Sequence, residues 1–297
     1  MKTAAVQAPA GFKNILFATD FSSAAANAIP FVKAIAGRYE AHIYAFHVRP
    51  PAVNPMTAPN TWAVDLEIVK VEDEERCREL LNTFPGTHTT ALIAEGGIQS
   101  CLQKAIKENN IDLVVLGTHG RSGAAKLLLG SIAEEIFRTV ECPVLTVGPQ
   151  ANYCQDRSGK FHQVLFATNF SSDSREAAAC AVSLALESEA HLTMMHVIPE
   201  QEAGDLVSPT DVSDSVRELL RDAVPIEARG WCKIEYLVKR GNAAERILET
   251  AQHKHSDLIV IGVKKESGVP GASTHLPIST AHKVVSRATC PVLTVRS

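Results

Sequence analysis

The sequence predicts two tandem α/β domains, each a doubly wound, five-stranded, mainly parallel sheet with helices on both faces. Its 297 residues are enough for two ordinary domains. The chain also repeats itself: "FKNILFATDFS" at 12–22 returns as "FHQVLFATNFS" at 161–171, and "CPVLTV" at 142–147 returns at 290–295. Within each copy, short apolar runs alternate with helical patterns, which is typical of βαβ crossovers and a parallel sheet.

The repeat keeps its order along the chain, since "EAHIYAFHVRP" at 40–50 returns as "EAHLTMMHVIP" at 189–199. Ordered matches at a nearly constant offset indicate a duplicated domain of ordinary size. We therefore predict one domain over 1–149 and a second over 161–297. The polar stretch between them, 150–160, contains glycine and suits a linker.

Each copy contains the same series of elements. The first strands, "ILFAT" and "VLFAT", precede the helical stretches "SSAAANAIPFVKAIAGRY" and "SSDSREAAACAVSLALES", and the second strands are "HIYAFHV" and "HLTMMHV". A Pro-rich segment in one copy and an acidic segment in the other lead into charged helices near 65–83 and 211–223. A third strand, a helix, a fourth strand, a loop, a helix and a fifth strand complete each copy.

The fourth strands, "DLVVLG" and "DLIVIG", are apolar at successive positions. Such runs are typical of strands covered on both faces, as in a parallel sheet between two helical layers. Sheets of this kind bind ligands just outside the carboxyl ends of their strands, where the strand order reverses. The residues that directly follow each strand are therefore the candidates for function.

Composition argues against several classes of function. The formal net charge of −4 argues against nonspecific attraction to nucleic acid or anionic lipid, and 5% aromatic residues are few for a base-stacking surface. The seven cysteines form no CxxC pair, which argues against a disulfide framework or a thiolate metal site. The N-terminus lacks the apolar segment of a secretory signal, and no apolar run approaches the ~20 residues of a membrane span. We expect a cytoplasmic protein without nucleic-acid or membrane partners.

Three side chains near strand ends are candidates for a binding site. Asp20 follows the first strand, where its carboxylate either caps the next helix or contacts a ribose hydroxyl or an adenine amino group; spacing alone favours neither. His47 lies within the second strand, as does His196 in the copy, which favours packing in the core over ligand binding. Val48 follows at the mouth of that strand and is placed to line an apolar slot for a base.

The loop after the fourth strand, "GTHGRSGAAKLLLGS" at 117–131, has glycines at fixed intervals. Glycine permits positive φ and lets a ligand approach the backbone closely. Ser131 with Glu134 has the S-x-x-E form of a capping box, and the N-terminus of the helix that follows suits phosphate. A glycine loop before a well-capped helix is the purely structural alternative. At the ligand-binding end of a parallel sheet these features together favour a nucleotide, although neither GxxxxGK[ST] nor GxGxxG is present.

These residues resemble the universal stress protein (UspA-like) family over both copies, through "ILFATDFS", "FHV", "GTHGRSGAAKLLLGS" and "CPVLTV". The family's nucleotide signature is G-x2-G-x9-G-(S/T), which the first copy matches at every spacing. The resemblance implies the adenine nucleotide alpha hydrolase-like fold and ATP bound in the N-terminal domain, with Mg²⁺ entering through the phosphates rather than protein side chains. The ATP-binding residues implied are Ala18, Thr19, Asp20, Val48, Leu116, Gly117, His119, Gly120, Arg121, Gly130, Ser131 and Ile132.

The second copy departs from the signature at three points. Asn169 replaces the first-strand acid, Lys265 stands at the position of the second glycine, and Ile278 stands at that of the third. A β-branched residue resists the positive φ that glycine allows. We predict that the second domain binds ATP weakly or not at all, with attraction of an anion by the lysines of its loop as the alternative.

The resemblance implies a stress-response protein with a regulatory role and at most slow ATP hydrolysis. Neither a carboxylate pair nor a metal-ligand cluster accompanies the loop, so we predict no catalytic residues. A nucleotide-independent scaffold or partner-binding protein is the alternative. A nucleotidyl-transferring enzyme is a third reading, which would need further catalytic groups.

The closing strand of each copy, "PVLTV", is apolar and is expected at a sheet edge. An exposed apolar edge usually pairs with a partner, and in the family this strand commonly makes the dimer contact. We expect residues 143–147 to pair with 291–295 inside one chain, and the sequence leaves a homodimer of chains open.

Overall fold

The first half alternates strands with helices. The structure, a computed structural model, describes residues 11–49, 62–118, 133, 136, 140–151, 160–200, 209–230, 233–263 and 279–296. The strands of this half are β1 (Asn14–Ala18), β2 (His42–Arg49), β3 (Thr89–Glu95), β4 (Leu113–Gly117) and β5 (Val144–Val147). Its described helices are α1 (Ser23–Ala26), α2 (Ile29–Tyr39), α3 (Trp62–Leu81) and α4 (Ile98–Glu108).

The second half repeats this series. Its strands are β6 (Gln163–Thr168), β7 (His191–Ile198), β8 (Lys233–Arg240), β9 (Leu258–Gly262) and β10 (Val292–Val295). Its described helices are α5 (Ser172–Ser188), α6 (Pro209–Asp222), α7 (Ala243–His253) and α8 (Thr280–Arg287), with a 3₁₀ helix at Ile226–Gly230.

The ten described strands lie in one sheet, in the order β3-β2-β1-β4-β5-β10-β9-β6-β7-β8. Neighbouring strands within each half run parallel, and β5 and β10 run antiparallel. Helices cover both faces: Phe31 of α2 and Val182 of α5 pack in the core on one face, and Leu102 of α4 and Ile247 of α7 in the core on the other. The predicted doubly wound α/β class is confirmed.

The strand order reverses beside β1. The chain runs outward from β1 to β2 and β3, then crosses to β4 on the opposite side of β1. Ala18, the last residue of β1, pairs with Phe46 of β2 and with Leu116 of β4. In open parallel sheets, ligands bind in the crevice outside such a reversal point. The carboxyl ends of β1 and β4 therefore mark the place for a ligand in the first half.

One helical stretch of the sequence is divided by a proline. α1 ends at Ala26 and α2 begins at Ile29, with Pro30 in its first turn. Proline has no backbone N–H to donate to the preceding turn, so it suits the start of a helix and not its middle. The second half has Ala179 at the corresponding position, and α5 is one helix of 17 residues.

The strands β5 and β10 are the neighbours through which the two halves meet. Leu145 lies opposite Leu293, and Val144 opposite Thr294. The Thr294 hydroxyl donates a hydrogen bond to the Val144 carbonyl at 3.2 Å. Leu145 and Leu293 are 1% and 2% exposed and belong to one hydrophobic core that contains residues of both halves.

A polar cluster joins helices of the two halves beside that core. At the end of α2, the Arg38 guanidinium donates to the Glu187 backbone carbonyl of α5, and the Tyr39 hydroxyl donates to the Glu187 carboxylate. Ser183 donates to the same carboxylate at 3.0 Å. Burial, and after it the neighbouring Glu187, raises the pKa of Tyr39. The tyrosine hydroxyl therefore keeps its proton and its role as a donor.

An aspartate directly before the fourth strand of each half joins that strand to the first. The carboxylate of Asp112 accepts hydrogen bonds from the backbone N–H groups of Lys13 and Asn14 at 2.7 to 3.2 Å. Asp257 makes the equivalent bonds, at 2.6 Å to His162 and 3.0 Å to Gln163. The duplicated "DL" of the sequence thus has a structural role.

Replacing Asp112 by alanine is expected to lower the free energy of unfolding by about 2–3 kcal/mol, because two backbone N–H donors lose their carboxyl acceptor. Urea unfolding curves measure this loss. Burial outweighs the hydrogen bonds and raises the pKa of Asp112 above its ordinary value. A raised folded-state pKa contributes stability that is full below the unfolded pKa and is lost as pH rises through the folded pKa. The deficit of the variant should therefore be larger near pH ~4 than near pH ~7.

Asp257→Ala is the matched variant, since burial raises the pKa of Asp257 as well. We expect the same direction of pH dependence. A deficit that shrinks toward acid pH in both variants would contradict this account.

Candidate functional site

Four of the predicted site residues come together at the reversal of strand order. Ala18 and Leu116 are register partners in β1 and β4, and Gly117 follows at the end of β4. Val48 lies near the end of β2, two residues beyond the partner of Ala18. The ends of three adjacent strands therefore bring these positions to one edge of the sheet.

Gly117 is in close contact with the first helix. A Cβ atom at this position would lie 2.7 Å from the Ala24 carbonyl oxygen and 3.1 Å from the Ala25 Cα. Both are backbone atoms, which cannot rotate away as the end of a side chain can. Glycine is required here so that β4 can approach α1. Sequence reasoning assigned this glycine to the ligand and did not foresee the contact with the helix.

The residues after β1 form a tight turn closed by its own side chains. Phe21 has a positive φ of 61°. The Thr19 hydroxyl accepts a hydrogen bond from the Phe21 N–H at 2.9 Å, and the Asp20 carboxylate accepts one from the Ser22 N–H at 3.0 Å. Ser22 in turn caps α1 by accepting from the Ala25 N–H at 3.1 Å. Of the two roles open to Asp20 in the sequence, the structural one, closing the turn before the helix, is present.

The second half builds the same turn without the charge. Phe170 has a φ of 59°, and the Thr168 hydroxyl accepts from its N–H at 2.9 Å. The side-chain oxygen of Asn169 accepts from the Ser171 N–H at 3.1 Å and from the Ser174 hydroxyl at 2.8 Å. An amide thus supports this turn as well as a carboxylate does. The negative charge of Asp20 is therefore not required by the local backbone.

His47 contacts the turn after β1, and His196 makes the same contact with the turn after β6. The Nδ1 atom of His47 lies 2.8 Å from the Thr19 carbonyl oxygen, and its ring packs on Phe21 with centroids 4.6 Å apart. The corresponding distances at His196 are 2.8 Å and 4.7 Å. The predicted preference of these histidines for packing agrees with this geometry.

Asp73 of α3 was missed by sequence reasoning. Its carboxylate lies 3.7 Å from Nε2 of His47, and the two residues are 5% and 8% exposed. The available signal was its spacing, because Asp73, Cys77 and Leu80 lie on one face of a helix. Cys77 on that face is buried, and burial, with the Asp73 charge second, raises the pKa of its thiol to about 11. On this face of α3, Asp73 lies next to apolar groups. The many other charged residues of the helix make this position hard to recognise in the sequence.

A cavity of about 640 Å³ lies on the α3 side of the turn. It is lined by Phe17, Thr19, Phe21, Ser22, Ala26, Ile29, Arg76, Glu79, Leu80 and Thr83. Thr19 is the one described residue of the predicted ATP set that lines it.

The glycine loop itself lies outside the described residues. This applies to His119, Gly120, Arg121, Gly130, Ser131 and Ile132 of the predicted set, and to Lys264, Lys265 and Ile278 of the copy. Beyond the second loop, Ser279 caps α8, because its hydroxyl accepts from the His282 N–H at 3.2 Å. A serine at this position can thus start the helix without a glutamate three residues later.

Within the described ranges, no group of three or more His, Cys, Asp or Glu side chains is arranged to hold a metal ion. In the same part of the chain, none of the helices combines the length and the apolar character that crossing a membrane requires.

Comparison with known proteins identifies the family of this chain. The model of the universal stress protein family matches residues 11–148 and again residues 160–296. A universal stress protein of Methanocaldococcus jannaschii is 29% identical over 141 residues, 46% of this chain and 82% of the relative. The universal stress protein YxiE of Bacillus subtilis is 31% identical over 150 residues, 46% of this chain and 99% of the relative.

A solved structure extends the likeness across both halves. The crystal structure of a universal stress protein from Archaeoglobus fulgidus has a TM-score of 0.68 and 20% sequence identity, and the match covers 95% of this chain and 98% of that one. At this identity the likeness shows a shared fold. Together with the two matches of the family model, it confirms the predicted family and its tandem arrangement: this chain belongs to the universal stress protein family, as a member with two domains in tandem.

Proposed function

We propose that this chain is a stress-response regulatory protein that binds ATP in its N-terminal domain and hydrolyses it slowly at most. The observation that supports this most strongly is the convergence at the reversal of strand order. There the turn that carries Asp20 and the end of β4 at Gly117 lie side by side, and the sequence continues from Gly117 into an intact glycine signature. Ligands of open parallel sheets bind at this place.

The contrast between the halves supports binding in the first one. Asp20 and Asn169 each accept a hydrogen bond from the backbone N–H two residues later, so closing the turn does not account for the carboxylate. A carboxylate accepts stronger hydrogen bonds than a neutral amide does. In our proposal Asp20 uses this capacity on the nucleoside, Val48 contacts the base, and the loop from Gly117 to Ile132 holds the phosphates. Mg²⁺ would be held through phosphates and water.

The arrangement of the halves is part of the proposal. We assign the domains to 1–149 and 161–297 with a linker at 150–160, and the two ranges that the family model matches support these bounds. In solution the two domains of one chain would act as a dimer-like unit joined through 143–147 and 291–295. The apolar pairing of β5 with β10 supports this, and further association of chains into a homodimer is a separate possibility.

Replacing Asp20 by asparagine is expected to weaken ATP binding about tenfold or more while leaving the protein's stability nearly unchanged. The charge-assisted hydrogen bond to the ligand is lost, whereas Asn169 shows that asparagine closes the same turn. Isothermal titration calorimetry measures the affinity, and thermal unfolding without nucleotide measures the stability. Asn169→Asp is the matched control and should not create a second ATP site. Equal ATP affinity of Asp20→Asn and wild type would contradict the assignment.

The stoichiometry separates this function from its alternative, a scaffold that needs no nucleotide. Equilibrium dialysis should find one tight ATP site per chain, and ATP should raise the midpoint of thermal unfolding, as any ligand of the native state does. Two tight sites would contradict a silent second domain. If ATP neither binds to the protein nor stabilises it, that result would favour the scaffold. Turnover at around 1–10³ s⁻¹, a rate typical of enzymes, would overturn the regulatory assignment.

A further inference from the structure

Arg49, the last residue of β2, has a side chain whose buried nitrogens lack partners. Its Nε and Nη1 atoms are shielded from solvent, and neither makes a hydrogen bond in the part of the chain that the structure describes. The backbone carbonyl of Arg49, by contrast, accepts a hydrogen bond from the Gly96 N–H at 3.1 Å. The guanidinium is permanently charged, because arginine is not deprotonated in proteins. Two N–H donors of a charged group are therefore buried without a hydrogen-bond acceptor among the described residues.

Such an arrangement is costly to a folded protein. Burial removes the hydration of the cation, and each donor without an acceptor leaves that loss uncompensated. Buried polar groups are almost always paired, so an exception calls for a functional reason. A ligand that supplies the missing acceptor is one such reason, since binding residues often lower the stability of the unliganded protein.

The second half shows that the fold does not require a cation here. Ile198 ends β7 as Arg49 ends β2, and it is 5% exposed. An apolar residue thus fits this place in the same architecture. The arginine occurs in the half with the intact glycine signature, and the apolar residue in the half whose signature is lost.

The position of Arg49 is next to the proposed nucleotide site but on the other face of the sheet. Side chains alternate along a strand, so Arg49 shares the face of His47, and Val48 lies on the opposite face. Asp73 of α3, which packs against that face, lies 3.7 Å from His47. On β3, Glu95 is the register partner of Arg49. Arg49 therefore lies at the carboxyl edge of the sheet, next in the chain to Val48, the residue assigned to the base, and on the opposite face from it.

We propose that Arg49 is the recognition group of an oxyanion site at the carboxyl end of β2. Its planar fork of N–H donors matches the oxygens of a phosphate or carboxylate group, and phosphate is the chemistry that fits a nucleotide-binding protein. The oxyanion has two possible sources, a phosphate group of the bound nucleotide or a separate inorganic phosphate. The first source rests on the proposed ATP binding, and the second is independent of it.

The variant Arg49→Ile tests the proposal, because it installs the residue that the second half uses. In chloride buffer, without nucleotide, its thermal unfolding midpoint is expected to rise by about 2–4 °C, since two buried N–H donors without acceptors are removed. Inorganic phosphate, compared with chloride at equal ionic strength, is expected to raise the midpoint of the wild type and not that of the variant. Arg240→Ile removes a strand-end arginine from the second half, and this control should keep the phosphate response.

Titrations with ATP and with adenosine distinguish the sources. If the nucleotide supplies the oxyanion, Arg49→Ile loses about tenfold in ATP affinity and keeps its adenosine affinity. If the anion is separate, the variant loses the phosphate response and binds ATP as the wild type does. Both outcomes support the oxyanion site, and the second does so even where the wild type binds no ATP.

A lowered midpoint of Arg49→Ile in chloride would overturn the proposal, because it would mean that Arg49 has a protein partner such as Glu95. An unchanged phosphate response together with an unchanged ratio of ATP to adenosine affinity would overturn it too. So would a wild-type protein that responds to neither ligand. If Asp20→Asn weakens ATP binding and Arg49→Ile changes nothing, the ATP assignment stands and the oxyanion site fails alone.

Discussion

Replacing Gly117 by alanine is expected to destabilise the first domain by about 3 kcal/mol and to abolish ATP binding. The added Cβ would lie 2.7 Å from the Ala24 carbonyl oxygen, a contact that real Cβ atoms essentially never make. The atoms it meets belong to the backbone of α1, so relief requires a shift of the helix or of β4. Overpacking of this kind typically costs 1–3 kcal/mol and occasionally more. The shift would reach the turn at Asp20, which directly precedes α1.

Urea unfolding and calorimetric titration with ATP measure the two effects. Gly37→Ala is the matched control, because a Cβ at this position in α2 would meet no atom within 4 Å apart from the backbone of its own helix. Alanine exceeds glycine in helix propensity by about 1 kcal/mol, so this control should be more stable than the wild type and bind ATP equally well. A Gly117→Ala protein with wild-type stability would show that α1 yields easily and would remove the proposed reason for this glycine.

Truncating the leucines where β5 meets β10 is expected to have the second large effect. Leu145 and Leu293 are opposite each other and almost fully buried in a core shared by the two halves. Each change to alanine should cost about 2–5 kcal/mol, through lost burial and the cavity left behind. If the halves act as one unit, the wild type unfolds in a single transition, and the truncations separate it into two.

A double-mutant cycle tests whether the two leucines interact. Residues in contact typically show a coupling energy of 0.5–3 kcal/mol, so the double variant should differ from the sum of the single ones by about that amount. Leu102→Ala is the control, since Leu102 is as buried as Leu145 but lies in the core on the opposite face. It should destabilise by a similar amount and show no coupling to Leu293. Additive losses for the leucine pair would argue that the halves fold independently.

The sequence contained the information that is local to the chain or repeated along it. The duplicated segments predicted two domains, and the alternation of strands and helices predicted the sheet. At single residues the sequence offered the right role where the cause is local. The turn-closing role of Asp20 was one of the two roles that the sequence left open, and its partner is two residues away. The break at Pro30 was not predicted, although its cause is also local, since it follows from one missing N–H.

Several contacts between distant parts of the chain could not be predicted from the sequence. The acid at Asp73 appeared to be one charge among many in a polar helix, and its proximity to His47 depends on how α3 lies over β2. The sequence indicated that Gly117 was important and assigned it to the ligand, but it did not reveal the contact with α1, because the approach of that helix is set by packing. Burial of the Arg49 nitrogens is likewise a property of the assembled sheet and helices.

By itself, then, the sequence determined the family, the duplication, the α/β class and the positions at which the two copies differ. Those properties depend on residue types at fixed spacings, which a chain retains whether or not it is folded. Only the tertiary structure decided which side chains share an environment: the acid against His47, the backbone against Gly117, the leucines between the halves, and the two Arg49 nitrogens that are buried without a partner among the described residues. Burial and distance are defined only after separate segments have packed together. The role of a charged residue or a glycine depends on both.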